Sequence, residues 1–492
     1  MTCCLDQNRQ QNRGLAPISP CLRNWWLPPR FAWHPVLPLT FYLTLLLALG
    51  GSLACAEQPL TIGQVVATAG EQYPSIRVSE ERISSAAAAV SLARTSYLPR
   101  LDFLAQANRA TRNNVFGMLL PQSIIPSISG PPSMTNSLTS VWGSTVGLLA
   151  TWEPIDFGVR AAKVRTADAG RLRAEAARGR TRFEVSALAA DAFLTVLAAQ
   201  QTLVSAQAGV ERSGTVVKVV KSLVDSELRP GADLSRAQAE LALAETQVIQ
   251  SRSAIRVAKA SLAQFTGGDP GAMTLIAGKL LDLPASKPLP GESAAQHPAA
   301  AEQAAASAEA AAKLRELDRS YYPKFLLQGA SYARGTGAIP DGTALGGVNG
   351  LGPNIHNWGV GFTATFPILD LPAIRSRRQE EQHLLRAEQA REEQVRRELD
   401  AGLQRSNAAL EGAWEVAAKT PEQVAAAHAT LEQASARYRA GLGTIVDVAE
   451  AQRLLTQAET DDSLARLQVW RAMLAGAVAQ GDLGPFLQTA AQ

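Results

Sequence analysis

The sequence predicts a mainly α-helical protein with a β portion, built from one long unit that is present twice. Three observations support this fold class. Aromatic residues make up only 5% of the 492 residues, while alanine, glutamate, glutamine, leucine and arginine dominate long tracts, a composition that favours helices over a large globular core. Similar segments recur at matching spacings, and short stretches in each copy alternate between apolar and small or polar residues.

The repeat is defined by the spacing of residues that the two copies share. An interval of 25 residues separates two prolines in each copy: Pro74 and Pro99, then Pro298 and Pro323. An interval of 77 residues separates two aspartates in each copy: Asp156 and Asp233, then Asp370 and Asp447. We therefore predict a first repeat over 57–268, a linker or equatorial region over 269–296, a second repeat over 297–480 and a C-terminal tail over 481–492.

The N-terminal 56 residues are predicted to be a signal peptide. Four arginines precede an apolar run over 36–50, which is followed by small residues at Ala54 and Ala56, a pattern typical of export signals. Cleavage after Ala56 is the first interpretation, and lipidation of Cys55 is the alternative. The four cysteines all lie within this segment, so the rest of the chain holds no disulfide and no cysteine metal site. The segment also carries the net charge of +3, which leaves no basic surface for nucleic acid.

Each copy begins with a helix, roughly 62–95 and 299–320, which a proline ends. Barrel strands are predicted about 97–157 and 323–370, because period-two alternation indicates strands with one apolar face. In the first strand the apolar residues are Leu101, Phe103, Ala105 and Ala107. Two structures fit these strands: a β-layer packed on helices, or a membrane barrel shared by several chains, since four strands cannot close a barrel alone.

Long helices follow the strands in both copies, because proline is absent and glycine is rare from 158 to about 228. We expect the return helix to end near Gly267, and the second pair to cover about 373–440 and 444–479. The tips between paired helices are predicted near 226–236 and 440–447. Pro421 predicts a kink or a restart of the helix. No run of 18 apolar residues occurs after the signal, so we expect no membrane-spanning helix.

The duplicated unit resembles the TolC-type outer-membrane efflux family over about 60–480. The resemblance rests on the 77-residue spacing, on "PIDFG" after the second strand and on "RYRAGLGTIVDVAEAQ" at a helical tip. It implies a homotrimer whose strands form a 12-stranded transmembrane β-barrel, continued by a periplasmic α-helical barrel. It also implies location in the outer membrane in contact with its lipid, and two kinds of partner: a periplasmic adaptor (a membrane fusion protein) and an inner-membrane pump of RND or ABC type.

The glycines of the second tip predict a turn, with Gly441 and Gly443 supplying backbone freedom; Gly231 is assigned to the first tip. Thr444 and Asp447 have the spacing of a capping box. The resemblance implies a second role for Asp447, shared with Glu450: both match the acidic constriction of the periplasmic aperture. In three copies such carboxylates would attract cations and raise one another's pKa values.

The resemblance also implies a closing contact between the two tips. Tyr438 matches a gating tyrosine, and Asp233 is its counterpart in the first tip. A basic residue of the family's closing network falls at Gly443 in this sequence, so Arg236 is the candidate to replace it.

The resemblance implies an exit duct for a tripartite efflux system. The alternatives are a duct for type I protein secretion and a periplasmic helical scaffold without a channel. No nucleophile, phosphate-loop or metal-helix motif occurs, and the five histidines lack ligand spacing. We therefore expect neither an enzyme nor a metal site, and no cofactor.

Overall fold

The computed structural model describes residues 59–111, 138–284, 296–339 and 343–491. The predicted signal peptide, with Cys55, lies outside these ranges, as does most of the loop that joins the first two strands. The described residues form eight α-helices: α1 (Ile62–Gln72), α2 (Pro74–Thr95), α3 (Val159–Asp225), α4 (Gly231–Thr266), α5 (Pro298–Asp318), α6 (Leu371–Arg439), α7 (Ile445–Gln480) and α8 (Gly484–Ala491). Two short 3-10 helices cover Gly278–Leu281 and Arg319–Tyr321.

Local sequence accounts for where several helices begin and end. Thr61 and Gln64 form a capping box at the start of α1, which satisfies two of the unpaired amides of the first turn. Proline opens both α2 and α5, where its missing N–H costs no hydrogen bond. Gly267 and Gly481 end α4 and α7 in the left-handed conformation, which glycine adopts without strain.

Four antiparallel strands form one sheet in the order β1 (Arg100–Thr111), β2 (Ser140–Ile155), β3 (Lys324–Thr336) and β4 (Ile355–Thr365). The central pairing joins β2 of the first half of the chain to β3 of the second. Consequently β1 and β4 are both edge strands within one chain, and each carries a row of backbone groups without a strand partner on its outer side.

The two faces of the sheet differ in chemistry. One face, which we call the apolar face, includes Leu101, Phe103, Val146, Leu148, Leu327, Val360 and Phe362. It is open, with Phe103 71% and Phe362 62% exposed. The other face carries Asp102, Gln106 and Asn108 on β1, and Tyr332 on β3 is buried there. A Cβ at Gly147 would lie 2.3 Å from the Tyr332 Cβ and 2.8 Å from the Ser331 carbonyl oxygen, so only glycine fits against β3 at that position.

The main hydrophobic core lies where the middle of α3 meets α1, the C-terminal half of α7 and the segment after α4. Phe193 and Trp470 are fully buried there, and the Trp470 indole N–H donates to the Asp282 carbonyl at 2.8 Å. The predicted C-terminal tail contributes as well, because α8 packs Phe486 and Ala490 into this core.

Pro421 does not restart the helix: α6 continues from Leu371 to Arg439 with Pro421 inside it. The proline leaves the Ala417 carbonyl without its usual N–H donor. The hydroxyl of Thr420 lies 3.5 Å from that carbonyl oxygen and donates to Asp462 on α7 at 2.8 Å. Packing and this contact with α7 therefore hold the helix together across the proline.

One helix among the described residues, α3, is long and apolar enough to cross a membrane by length and composition. This criterion averages over a window, whereas the expectation of no membrane-spanning helix rested on the absence of an unbroken run of 18 apolar residues, so that expectation stays a prediction. Phe193, Leu194, Val196 and Leu197 of α3 are buried in the main core, which accounts for the apolar character of this stretch.

Candidate functional site

The two tips, where α3 turns into α4 and α6 turns into α7, have the same backbone hydrogen bonds. The Leu228 N–H donates to the Leu223 carbonyl at 2.9 Å, and the Leu442 N–H donates to the Arg437 carbonyl at 2.9 Å. Each bond closes six residues, as in a Schellman ending. Both long helices therefore end in the same kind of turn before the chain reverses.

The residue with left-handed backbone differs between the tips. It is Gly441 in the second tip, with φ +79°, and Glu227 in the first, with φ 59°. The prediction of freedom at Gly443 needs correction: its φ is not positive, and a Cβ there would lie 3.3 Å from the Arg437 Cβ. Gly231 needs correction too. It is the first residue of α4, and a Cβ there would meet nothing within 4 Å, so the turn does not require a glycine at that position.

Tyr438 and Asp233 are brought together across the two tips. The Tyr438 hydroxyl donates to the Asp233 carboxylate at 2.9 Å, although 205 residues separate them in sequence. Tyr438 is 3% exposed and packs with Val220 of α3 and Val448 of α7. Burial and the adjacent Asp233 carboxylate raise the pKa of Tyr438 to about 12, so the hydroxyl remains protonated and able to donate at any physiological pH.

The basic partner of Tyr438 is Arg229, not Arg236. The Arg229 guanidinium donates to the Tyr438 carbonyl at 2.6 Å and lies 4.5 Å from the centre of its ring, within the range of a cation–π contact. Arg236, which we expected in this position, is exposed and pairs with Glu240 on its own helix at 3.1 Å. Its guanidinium extends along α4 toward Glu240 and is not paired with Asp233, although the spacing of three residues places both on one side of the helix.

Asp447 forms the predicted capping box at the start of α7. Its carboxylate accepts the Thr444 N–H at 2.9 Å, and its own N–H donates to the Thr444 hydroxyl at 3.3 Å. The hydrogen bonds from the Thr444 backbone and side chain lower the pKa of Asp447, with a further contribution from Arg437. Within one chain Asp447 is therefore an ionised, exposed carboxylate. The mutual increase in pKa expected for a ring of three copies stays a prediction.

Glu450 lies one turn further along α7 and is exposed. Its carboxylate pairs with Arg453 of the same helix, so it has no capping role. Asp447 and Glu450 share one side of the helix start, as the i and i+3 spacing predicts. Among the residues the structure describes, no group of three or more His, Cys, Asp or Glu side chains is placed to hold a metal ion.

Arg229 is the site residue that sequence reasoning missed. It lies four residues before Asp233, just as Gly443 lies four residues before Asp447. The internal repeat therefore places Arg229 at the first-copy position that matches Gly443. Comparison of the second repeat with the first at this position indicates Arg229 as the basic residue.

A family model described as outer membrane efflux protein matches residues 65–268 and 289–475, which is most of the chain. The chain belongs to this family. Membership confirms the resemblance stated from the sequence, and it places this outer membrane efflux protein in the outer membrane. No curated protein matches the chain.

Solved structures of outer-membrane channels share the fold of this efflux protein. The OprN channel is 20% identical, with a TM-score of 0.67 over 85% of this chain and 89% of its own. The CmeC channel of Campylobacter jejuni is 15% identical, with a TM-score of 0.70 over 88% and 89%. The open state of the MtrE channel of Neisseria gonorrhoeae is 18% identical, with a TM-score of 0.64 over 86% and 89%. These matches confirm the mainly helical fold class.

Proposed function

We propose that this efflux protein is the exit duct of a tripartite efflux system. Three copies share one 12-stranded barrel in the outer membrane, and their long helices continue it into the periplasm. There the tips meet a periplasmic adaptor, and an inner-membrane pump of RND or ABC type delivers the cargo. The duct itself conducts passively, and its helical tips act as the gate.

The observation that carries this proposal is the four-stranded sheet with two open edges and an exposed apolar face. Its strands contain 12, 16, 13 and 11 residues, and a tilted strand of roughly 9–11 residues crosses a bilayer. Unpaired edge groups are not tolerated in lipid. The sheet of one chain therefore becomes stable in a membrane when β1 of one copy pairs with β4 of the next.

The helices supply the length that a duct through the periplasm requires. The 67 residues of α3 and the 69 residues of α6 each extend about 100 Å at 1.5 Å per residue. The duplicated order of helix, two strands and two long helices gives each chain two helical hairpins that begin at the sheet and end at the tips. Three chains would contribute six hairpins to the wall.

The tips provide a gate with two components. The contacts of Tyr438 with Asp233 and Arg229 fasten the second hairpin to the first within one chain. Asp447 and Glu450 lie beside these contacts on exposed surface, where three copies would form a ring of carboxylates. Such a ring favours cations over anions, while the tyrosine contacts keep the aperture closed.

Single-channel recording in planar bilayers tests the proposal. We expect discrete conductance steps from the wild type, and a weaker preference for cations after Asp447→Ala combined with Glu450→Ala. Tyr438→Phe leaves the ring of carboxylates in place but removes the hydrogen bond to Asp233. We therefore expect this variant to raise the open probability without changing ion selectivity.

The matched control removes two exposed carboxylates of α6 far from the tip, through Asp400→Ala combined with Glu415→Ala. It should leave cation preference closer to that of the wild type than the tip variant does. Membrane-inserted trimers that never conduct, including the Tyr438→Phe variant, would contradict the channel. Selectivity that the tip and control variants alter equally would contradict the location of the constriction.

A further inference from the structure

A cleft of about 320 Å³ lies between the start of α3 and the end of α5, close to where both helices join the sheet. Three arginines line it: Arg165 from α3, Arg315 from α5 and Arg319 from the short helix after α5. Tyr322 closes one side, and the Arg319 guanidinium lies 5.9 Å from the centre of its ring. We call this the arginine cleft.

The three arginines differ from their neighbours in their lack of acidic partners. Further along α3, Arg171, Arg173, Arg178 and Arg180 are all paired with carboxylates. Within the described part of the chain, none of the three cleft arginines forms an ion pair with a carboxylate. The one acid in the lining, Asp318, pairs with Arg378 of α6 at 2.7 Å. The cleft therefore carries concentrated, uncompensated positive charge.

A row of aromatic rings connects the cleft to the apolar face of the sheet. Tyr322 stacks on Phe157 with ring centres 5.3 Å apart, and Phe157 lies 5.9 Å from Phe325. Phe325 then stacks on Phe362 at 5.8 Å, and Phe362 belongs to the apolar face. The cleft thus lies at one end of an aromatic row whose other end belongs to the apolar face.

We propose that the arginine cleft binds the phosphate of an anionic phospholipid from the periplasmic leaflet of the outer membrane; this inference rests on the proposed function, which has the apolar face in contact with lipid. Guanidinium groups donate paired, charge-assisted hydrogen bonds to phosphate oxygens. Aromatic side chains at strand ends lie at the level of the lipid headgroups. The acyl chains would run along the aromatic row toward the apolar face.

A lipid and a free phosphate offer the same group to the arginines, but only the lipid also covers the aromatic row. Burial of apolar surface contributes about 25 cal/mol per Å², so the acyl chains add affinity that inorganic phosphate lacks. We therefore expect millimolar inorganic phosphate to leave the bound lipid in place.

Native mass spectrometry of the full-length protein in nonionic detergent tests the site, with dioleoylphosphatidylglycerol as the probe and dioleoylphosphatidylcholine as the neutral comparison. We expect saturable binding of phosphatidylglycerol in preference to phosphatidylcholine. The triple variant Arg165→Gln, Arg315→Gln and Arg319→Gln should bind it at least about tenfold more weakly, because the loss of charge-assisted hydrogen bonds is worth at least that factor. Arg315→Gln alone should show a smaller loss, and it covers the case in which the triple variant fails to fold.

The matched control neutralises three exposed arginines of α6 outside the cleft: Arg386→Gln, Arg391→Gln and Arg396→Gln. Equal lipid affinity in the cleft and control variants would overturn the proposal. Displacement of the lipid by inorganic phosphate would overturn the assignment to a lipid. Conductance measurements distinguish this site from the proposed function. We expect the conductance of the cleft variants to be unchanged. A wild type that binds lipid without conducting ions would refute the duct while leaving the lipid site intact.

Discussion

Tyr438 contacts residues of both halves of the chain at the tips. Its hydroxyl reaches Asp233, and both its carbonyl and its ring contact Arg229. Both partners belong to the first half of the chain. The contact between the two tips within one chain therefore involves a tyrosine, an acid and a base, with Tyr438 buried between α3 and α7.

Arg229→Gln should open the tip. It removes a charged hydrogen-bond donor and a cation–π contact, together worth roughly 1–2 kcal/mol, so we expect the open-to-closed ratio to rise by about five- to thirtyfold. Open probability in single-channel recordings measures this ratio. Arg236→Gln is the matched control, because Arg236 pairs with Glu240 on its own helix. A larger effect from Arg236→Gln than from Arg229→Gln would show that Arg236 is the closing residue after all.

His297 is a buried residue with a fixed tautomer. Its Nδ1 accepts the Ala299 N–H at 3.0 Å, so its Nε2–H donates to the Val478 carbonyl, 3.1 Å away. It thereby caps α5 and ties it to the end of α7. Burial lowers the pKa of His297, although the contact with the Val478 carbonyl opposes the shift.

The lowered pKa of His297 predicts a pH dependence of stability. The neutral ring contributes fully above the unfolded pKa of about 6.5, and this contribution is lost as pH falls below that value toward the lowered folded pKa. The thermal unfolding temperature of the wild type should therefore fall between pH 7 and pH 5 more steeply than that of His297→Asn. His383→Asn, on the exposed side of α6, is the control and should decline as the wild type does. Parallel curves for all three proteins would contradict the account.

Sequence reasoning reached the residues of the site that depend on local spacing. The Thr444 and Asp447 capping box is a three-residue pattern, and the structure contains it. Arg229 was missed because its contact with Tyr438 spans 209 residues, and only the comparison of the two repeats, in which Arg229 matches Gly443, indicates its place. The strained φ of Glu227 was missed because the pattern for such turns calls for glycine.

The second long hairpin, formed by α6 and α7, contains a buried polar contact beside a proline. Thr420 and Asp462 are 5% and 7% exposed, and the Thr420 hydroxyl donates to the Asp462 carboxylate at 2.8 Å. Arg466 pairs with the same carboxylate. This contact lies next to Pro421, so it fixes the packing of the two helices where the backbone of α6 lacks a hydrogen bond.

Thr420→Val should destabilise this hairpin. The substitution retains the shape of the side chain and leaves a buried carboxylate short of one hydrogen bond, at a cost of about 1–3 kcal/mol. Hydrogen exchange of α6 and α7 measures the change, which we expect to be concentrated on either side of Pro421. Thr430→Val is the control, because the hydroxyl of the exposed Thr430 donates to the Ala426 carbonyl of its own helix. Similar exchange in the two variants would mean that the contact with Asp462 contributes nothing.

Helices with long, regular sequence patterns were predicted more readily than short ones. The long helices were predicted because an alanine- and leucine-rich tract without proline has few alternatives. At Pro421 the sequence left a kink and a restart of the helix open, and it could not decide between them, because tertiary contacts can override a local breaker. The helix α8 was not predicted either: eight residues are too few to show helical periodicity, and its position is fixed by the burial of Phe486.

The part of the chain that the structure describes contains one four-stranded sheet with two open edges. Pairing of β2 with β3 joins the two halves of the chain, while β1 and β4 remain at the edges. The alternation that the sequence displayed defined the apolar face, but it could not fix the order of the strands, because order depends on contacts between distant segments. We propose that these open edges pair between three copies of the chain.

Disulfide cross-linking of the two edges tests that claim most directly. Residues 57–492 contain no cysteine, so no native thiol in that region can form a disulfide with the introduced cysteines. Ala105→Cys on β1 is combined in turn with Val360→Cys, Phe362→Cys or Ala364→Cys on β4, which samples the register between neighbours. Within one chain the two edges are roughly 14 Å apart, three strand spacings, beyond the reach of a disulfide.

The measurement is denaturing electrophoresis of membranes oxidised before solubilisation. We predict that at least one double variant forms covalent dimers and trimers and nothing larger, and that each single variant stays free of trimers. A complete absence of cross-links in all three double variants, or a ladder that continues beyond the trimer, would contradict a closed barrel shared by three chains.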